Sequence, residues 1–317
     1  MDYAEAGVDI DESDDAVAAL AARIAGGGGE YAGTFEHGDD TFALTTDGVG
    51  TKILVAEAVD DYSTVGIDCV AMNTNDLVAM NVEPLALVDY LVVEEPDDGV
   101  SAEIGEGLAE GAERADVTVV GGETAVMPEV VDGVDLAGSC VGAANEGIVD
   151  GSRIETGDAL VGIPSNGVHS NGLTLARKAL TGGDKEAYHE TVPYDDATVG
   201  EELLEPTRIY TSPLEAAREH DVRGMAHITG GGFTNLERLA DARFVVDNPL
   251  PAQPVFDLIA ERGDVERDEM FRTFNMGTGF VLVAPQEEAE AVAETVDGRV
   301  IGRVEEGDGV EVDGMAL

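Results

Sequence analysis

The segment Thr46-Asp47-Gly48-Val49-Gly50-Thr51-Lys52 constrains this chain more than any other. It follows an apolar-rich, strand-like run, Phe42-Ala43-Leu44-Thr45, and sets a carboxylate, two glycines, a hydroxyl and an ammonium within one turn. Glycines there let backbone N–H groups point into one concavity, a shape that suits phosphate. Asp47 offers Mg²⁺ a hard oxygen of the kind it shares with substrate phosphates. Taken alone, the turn also reads as an ordinary glycine turn with a solvated lysine, and a lone turn of this kind is more often structural than functional.

Three further segments share its character. Gly66–Leu77 reads as a helix with apolar or small residues at Ile67, Val70, Ala71, Thr74, Leu77 and Val78, the stripe of a half-buried helix. Asp68 and Asp76 fall off that stripe, roughly two turns apart, where solvated surface acids are the plain expectation. Val117-Thr118-Val119-Val120 reads as a short strand ending in Gly121-Gly122 and delivering Glu123. Ala226-His227-Ile228-Thr229-Gly230-Gly231-Gly232 runs into an amphipathic helix start at 233–240, and a glycine run before a helix N-terminus is a natural anion site.

TDGVGTK (46–52), GIDCVAMNTNDL (66–77), VGGETA (120–125), SNGVHSNG (165–172), EPTRIY (205–210), AHITGGGF (226–233) and FRTFNMGTG (271–279) occur in this order. Together they resemble the phosphoribosylformylglycinamidine cyclo-ligases, the aminoimidazole ribonucleotide synthetases of purine biosynthesis. The opening Tyr3–Asp11 is similar too, so the likeness runs from about residue 3 to residue 304. Seven ordered motifs are far more specific than any one of them.

Composition bounds the setting. The 317 residues suffice for two ordinary domains, and 44% hydrophobic content supports real cores. No apolar run approaches the roughly 18 residues of a membrane span, and the acidic N-terminus lacks the basic start of a signal peptide. Cys69 and Cys140 sit in apolar settings without CxxC spacing, which predicts reduced structural thiols and a cytoplasmic location.

Sixty-six acids against 17 Lys plus Arg give a formal charge of −49, which disfavours nucleic acid and anionic membranes as partners. Only three lysines occur, Lys52, Lys178 and Lys185. In molar salt the Debye length falls to about 3 Å and the self-repulsion is screened. The acidity therefore reads as adaptation to a saline cytoplasm.

The coarse pattern predicts an α+β chain. A helix at 13–25 stops at Gly26–Gly29; strands follow at 41–46, 85–93, 117–120 and 135–143, with helices at 66–80 and 102–115. Polarity rises around Asp150–Asp158 before a new strand at Ala159–Pro164, which places a boundary between residues 1–149 and 150–317. The second half alternates helices (171–181, 201–205, 212–220, 233–240, 254–262, 286–296) with strands near 243–246, 278–284 and 299–304. The resemblance sharpens this to two domains, each a mixed sheet backed by helices, with N-terminal domains pairing into a shared barrel in a homodimer.

It also implies the chemistry: ATP phosphorylates the amide oxygen of formylglycinamidine ribonucleotide, and an amidine nitrogen displaces it to give aminoimidazole ribonucleotide, ADP and phosphate. Such transfer is mostly positioning and charge neutralisation. On this reading Asp47, Asp68, Asp76 and Glu123 hold Mg²⁺ at the triphosphate, Gly48, Gly50, Thr51, Gly121 and Gly122 line the nucleotide, and Lys52 neutralises a phosphate. His169 and His227 line the cleft, binding phosphate or moving a proton. Asn171, Arg208, Thr229, Gly230, Gly231 and Gly232 contact the substrate, whose ribose phosphate is placed on the glycine run. Asn171 serves equally as a helix N-cap, and Arg208 as an ion-pair partner. His37, His189 and His220 keep the ordinary structural reading, and Arg272 stays outside the site.

Gly26–Gly29 stands where relatives are expected to carry basic or bulky residues, so a flexible lid there would lack their basic contact. Selenophosphate synthetase, thiamine-phosphate kinase and hydrogenase-maturation relatives share this type of ATP-binding domain. The chain has neither the reactive N-terminal cysteine of the first nor the cysteine tail of the last. A non-catalytic acidic cation binder would scatter its acids without glycine-flanked placement.

Overall fold

A computed structural model describes residues 31–317. The expected helix at 13–25, the Gly26–Gly29 lid and the Tyr3–Asp11 resemblance lie outside the described residues.

The first sheet contains β1 (Gly33–His37), β2 (Asp40–Gly48), β3 (Glu83–Val93), β4 (Thr118–Val126) and β5 (Val134–Ala143). Their order is β1-β2-β5-β3-β4, antiparallel except for the parallel pair β3 and β4. Helices α1 (Ile53–Val59), α2 (Val65–Val78) and α3 (Asp98–Ala115) accompany it. Alternation along β3 buries Leu87 and Leu91 under the helices and leaves Val88 and Tyr90 exposed on the other face. α2 and α3 meet almost backbone to backbone: a Cβ at Gly66 would lie 2.3 Å from the Leu108 nitrogen.

The second sheet gathers β6 (Ala159–Pro164), β7 (Gly224–His227), β8 (Arg243–Val246), β9 (Thr278–Ala284), β10 (Arg299–Glu305), β11 (Gly309–Val312) and β12 (Met315–Ala316). The order is β12-β11-β8-β10-β6-β9-β7, again mixed, with β8 and β11 parallel. It is accompanied by α4 (Leu173–Thr181), α5 (Val199–Leu204), α6 (Ser212–Glu219), α7 (Pro254–Gly263), α8 (Arg267–Thr273) and α9 (Ala289–Thr295). Both sheets are mixed and helix-backed, the α+β architecture expected. Every residue of β9 is buried, so its run Phe280-Val281-Leu282-Val283-Ala284 forms the spine of this core.

Three expectations change. The helix expected at 233–240 is a 3₁₀ helix, Gly232–Arg238. The strand expected at 117–120 runs on to Val126, so Gly121 and Gly122 lie within β4 instead of ending it. Val120 is the extra residue of a bulge, because Leu87 pairs with Val119 and Val88 with Gly121. Most consequentially, α2 is no half-buried surface helix: of its 14 residues only Asp76 escapes full burial.

Candidate active site

α2 is the hub on which the sequence motifs meet, and its buried polar residues explain how. Asn73 fastens the 46–52 turn: its Oδ1 accepts from the Asp47 N–H at 3.1 Å, and its Nδ2 donates to the Asp47 carbonyl at 3.2 Å. Two other side chains hold the 205–210 segment. Asp68 accepts from the Thr207 N–H at 2.7 Å. Asn75 Oδ1 accepts from the Tyr210 N–H at 2.9 Å, while its Nδ2 donates to the Arg208 carbonyl at 2.9 Å. Buried amides and carboxylates are tolerable only when paired in this way. Periodicity treated Asp68 as a surface acid because it cannot see a partner supplied from 139 residues away.

Lys52 and Asp68 satisfy each other. Lys52 Nζ lies 2.8 and 3.0 Å from the two Asp68 oxygens, both side chains are fully buried, and Nζ also donates to the Glu205 carbonyl. Burial lowers the lysine pKa, and Asp68 opposes that shift. The sequence expectation that Lys52 neutralises a phosphate and Asp68 ligates Mg²⁺ is therefore corrected: their charges are spent on each other, away from solvent. Thr51 turns the other way, its hydroxyl 3.2 Å from that of Thr174.

Asp47, Asp76 and His227 form a group drawn from both sheets. His227, at the end of β7, has Nδ1 3.0 Å from Asp76 Oδ1. Asn75 Nδ2 stands 3.3 Å from His227 Nε2. Because Asn75 Oδ1 already accepts from Tyr210, its amide nitrogen must be the donor to Nε2. The network thus assigns the proton of neutral His227 to Nδ1, which donates to Asp76. Both ring nitrogens are engaged, so His227 orients Asp76, and the expectation that it binds phosphate or moves a proton finds no free ring nitrogen here. Burial and the neighbouring Asp76 charge push the Asp47 carboxyl up to about 6, against the Gly48 N–H and His227. A buried carboxyl whose charged form is opposed by burial and by a neighbouring acid is a fitting place for a divalent cation.

Asp89, which the sequence pattern passed over inside an apolar run, joins this face. Asp47 pairs with Gly138 on β5, Gly138 with Asp89 on β3, and Asp89 with Gly122 on β4. The two carboxylates thus flank a side-chain-free position, about 10 Å apart at two strand spacings. A Cβ on Gly122 would meet Asp89 Oδ1 at 2.2 Å, so glycine there makes room for the acid. The signal was available: one acid interrupts Leu85–Val93 at an inward position. Glu123 pairs with Tyr90, on the opposite, exposed face. The expected four-acid set is therefore not brought together, and among the described residues no group of three or more His, Cys, Asp or Glu side chains is arranged to hold a metal.

His169 is buried with φ +65°. Asn166 Nδ2 donates to Glu205 and to the Pro206 carbonyl, which leaves its Oδ1, 2.6 Å away, to accept from His169 Nε2–H. His169 Nδ1 then carries an unshared pair and has no protein partner. Burial, with Lys52, His227 and Arg208 nearby, holds this imidazole neutral, well below its usual pKa. Gly279 is dictated by the same crowding: a Cβ there would lie 1.8 Å from the Tyr210 hydroxyl and 3.1 Å from His169 Cε1. Asn275 ties its motif to 165–172 through the Ser165 hydroxyl and the Gly167 carbonyl.

The glycine run faces the same cleft. Asn171 Oδ1 is the atom nearest a Cβ placed on Gly230, and Asn171 Nδ2 reaches Met72 of α2 at 3.7 Å. Asn171 is not an N-cap; Gly172 occupies that position of α4 without a side-chain bond. Asn235 braces the loop by accepting from the Thr229 N–H and donating to the Gly230 carbonyl. Arg208 donates to the Pro164 carbonyl and lies over the Tyr210 ring, so its fixed role is structural. Gly48 and Gly50 remain beside Asp47, whereas Gly121 and Gly122 lie three strands away on β4.

Residues 29–144 match the model of the AIR synthase related protein, N-terminal domain, and residues 155–314 that of the AIR synthase related protein, C-terminal domain. The phosphoribosylformylglycinamidine cyclo-ligase of Methanosarcina acetivorans is 44% identical, over 100% of this chain and 98% of that protein. The protein of the same name from Pyrococcus horikoshii is 48% identical, over 92% and 90% respectively. Among solved structures, thiamine monophosphate kinase from Aquifex aeolicus superposes with a TM-score of 0.69 at 20% identity, covering 98% of this chain and 99% of that one, a likeness of fold alone. The chain belongs to the AIR synthase family.

Proposed function

We propose that the protein is an ATP-dependent cyclo-ligase that closes formylglycinamidine ribonucleotide to 5-aminoimidazole ribonucleotide in purine biosynthesis. The observation that carries this is the convergence of distant motifs on α2, in a chain matched end to end by relatives bearing the cyclo-ligase name. In the reaction, a bond forms between the amide oxygen and the γ-phosphorus of ATP, and the β–γ bridge breaks to release ADP. An amidine nitrogen then attacks the activated carbon, phosphate departs with the former amide oxygen, and the nitrogen gives up a proton.

Each resident group has a part in this reading. Asp47 and Asp76 would hold Mg²⁺, with Asp89 on the same face; such an ion supplies charge neutralisation at the triphosphate. Free backbone N–H groups at Gly230 and Gly231, which have no protein partner among the described residues, would receive the ribose phosphate. Asn171 lies beside them. His169 Nδ1 is the unspent proton acceptor, and burial keeps it neutral at pH 7. Lys52 and Asp68 position the two halves of the cleft and touch neither nucleotide nor metal.

The division into residues 1–149 and 150–317, a cytoplasmic setting, salt adaptation and a homodimer belong to the same reading. The dimer is supported by Phe35, Leu44, Val88 and Tyr90, 42–51% exposed on the helix-free face of the first sheet. No helix of the described residues is long and apolar enough to cross a membrane. Sedimentation across a KCl series tests both points: a dimer in molar KCl that loosens in dilute buffer is expected, and a monomer unchanged throughout would refute them. For the reaction itself, product analysis should find one ADP and one phosphate per aminoimidazole ribonucleotide, and none without the amidine substrate. Equal phosphate release with thiamine phosphate would refute the assignment.

A further inference from the structure

Outside the cleft, the two remaining lysines of this chain meet at one place. Acids outnumber Lys plus Arg by 66 to 17, and of the three lysines one is the buried Lys52. Both others, Lys178 and Lys185, line a single cavity of about 370 Å³ together with Arg177. The cavity lies between α1, α4 and the 3₁₀ turn Lys185–His189. Glu57 and Asp132 also face it, and Lys185 Nζ lies 3.3 Å from Glu57 Oε1, so the rim carries three cations against two anions, a net positive charge in a strongly acidic protein. Such an inversion focuses an attractive field for anions.

The remaining walls narrow the ligand. Thr174 offers a hydroxyl, as a phosphate oxygen needs, whereas that of Thr181 is spent on the Arg177 carbonyl at 2.8 Å. Arg177 Nε donates to the Tyr188 hydroxyl at 2.9 Å, which fixes the guanidinium against the wall. Leu54, Ala58 and the buried Tyr188 give an apolar side. The volume lies in the range of small-molecule sites, about 300–1,000 Å³, and exceeds what a bare phosphate fills. None of Asp47, Asp76, His169, His227 or the 229–232 loop lines it.

We infer that this cavity binds a phosphomonoester with an organic body of nucleotide or sugar-phosphate size. Occupancy is felt at the 46–52 turn, because the Thr174 hydroxyl stands 3.2 Å from that of Thr51 and α1 leaves directly from that turn. The inference does not depend on the reaction assigned above.

Calorimetric titration of the full chain with AMP and with inorganic phosphate tests it. The double variant Lys178→Gln/Lys185→Gln removes both lysines. Arg114→Gln/Arg299→Gln, on exposed surface elsewhere, is the control of equal charge change. The expected result is a roughly tenfold or greater loss of AMP affinity in the lysine pair, none in the control, and weaker binding of phosphate than of AMP. Competition with the amidine ribonucleotide would identify the phosphomonoester as the substrate's own tail; its absence would identify a separate nucleotide. Equal AMP affinity in wild type and the lysine pair, with both variants folded, would overturn the site. So would equal loss in the control pair.

Discussion

His227 Nδ1 lies 3.0 Å from Asp76 Oδ1, a contact that joins the end of a strand in the second sheet to the last turn of a helix packed on the first. The histidine is fully buried and Asp76 keeps 16% of its side chain open. One acid thus faces the cleft with its direction fixed from the other half of the molecule. Asp76→Asn should cut turnover at least a hundredfold and raise the Mg²⁺ requirement. His227→Gln should cost less, because it alters Asp76's orientation without removing its charge. Steady-state rates across a Mg²⁺ series check this; equal losses in both variants would assign the histidine a direct chemical part.

The Lys52–Asp68 pair predicts a stability pattern. Removing one partner of a fully buried pair strands the other, at about 3–5 kcal/mol. Lys52→Met and Asp68→Leu should each lose that much in denaturant unfolding. The double variant should recover a large part, since two apolar side chains leave no buried charge. Independent, additive losses would mean the two residues do not depend on each other.

Asp47 predicts a pH dependence whose sign follows from its raised pKa. The folded chain holds this proton more tightly than the unfolded one. The resulting stabilisation is complete below pH about 4 and disappears as the pH rises through about 6. Asp47→Asn should therefore be the more stable protein at pH 8, on the order of 2 kcal/mol without Mg²⁺, and lose that advantage below pH 4. Mg²⁺ binding to wild type at pH 5.5 should release a proton, measurable by calorimetry in buffers of different ionisation enthalpy. No difference between the proteins at pH 8 would remove the account of this carboxyl.

The glycine run is best probed at Gly230. Gly231 and Gly232 adopt φ of +96° and +54°, and a Cβ on Gly232 would lie 2.2 Å from the Phe271 carbonyl, so substitution there disturbs the fold. At Gly230 the nearest atom is Asn171 Oδ1 at 3.5 Å. Gly230→Val should raise the KM for the ribonucleotide about tenfold or more and leave that for ATP near its starting value. A reversed pattern would move the nucleotide to this loop.

Where local chemistry decides, the sequence was informative. The apolar strands at 159–164, 243–246 and 278–284 were readable because each is a continuous run in a core. α2 was readable as a helix but not as a buried one. The polar residues Asp68, Asn73 and Asn75 look solvent-facing until Lys52, Asp47 and the 207–210 backbone arrive to satisfy them. The same limit explains the metal set. Asp47 and Asp76 were legible from their motifs, but Glu123 falls on the wrong sheet face because the Val120 bulge and strand parity decide its side. β7, only four residues long, offered too little pattern to detect, though it carries His227.

The central claim, that ATP activates the amide oxygen in the cleft around Asp47 and Asp76, is tested most directly by isotope transfer. Formylglycinamidine ribonucleotide labelled with ¹⁸O at that amide is turned over once with ATP and Mg²⁺, and the phosphate is examined by mass spectrometry. The account predicts one ¹⁸O in each phosphate released by wild type, and transfer lost together with ring closure in Asp76→Asn. Unlabelled phosphate accompanying full ring closure would contradict it.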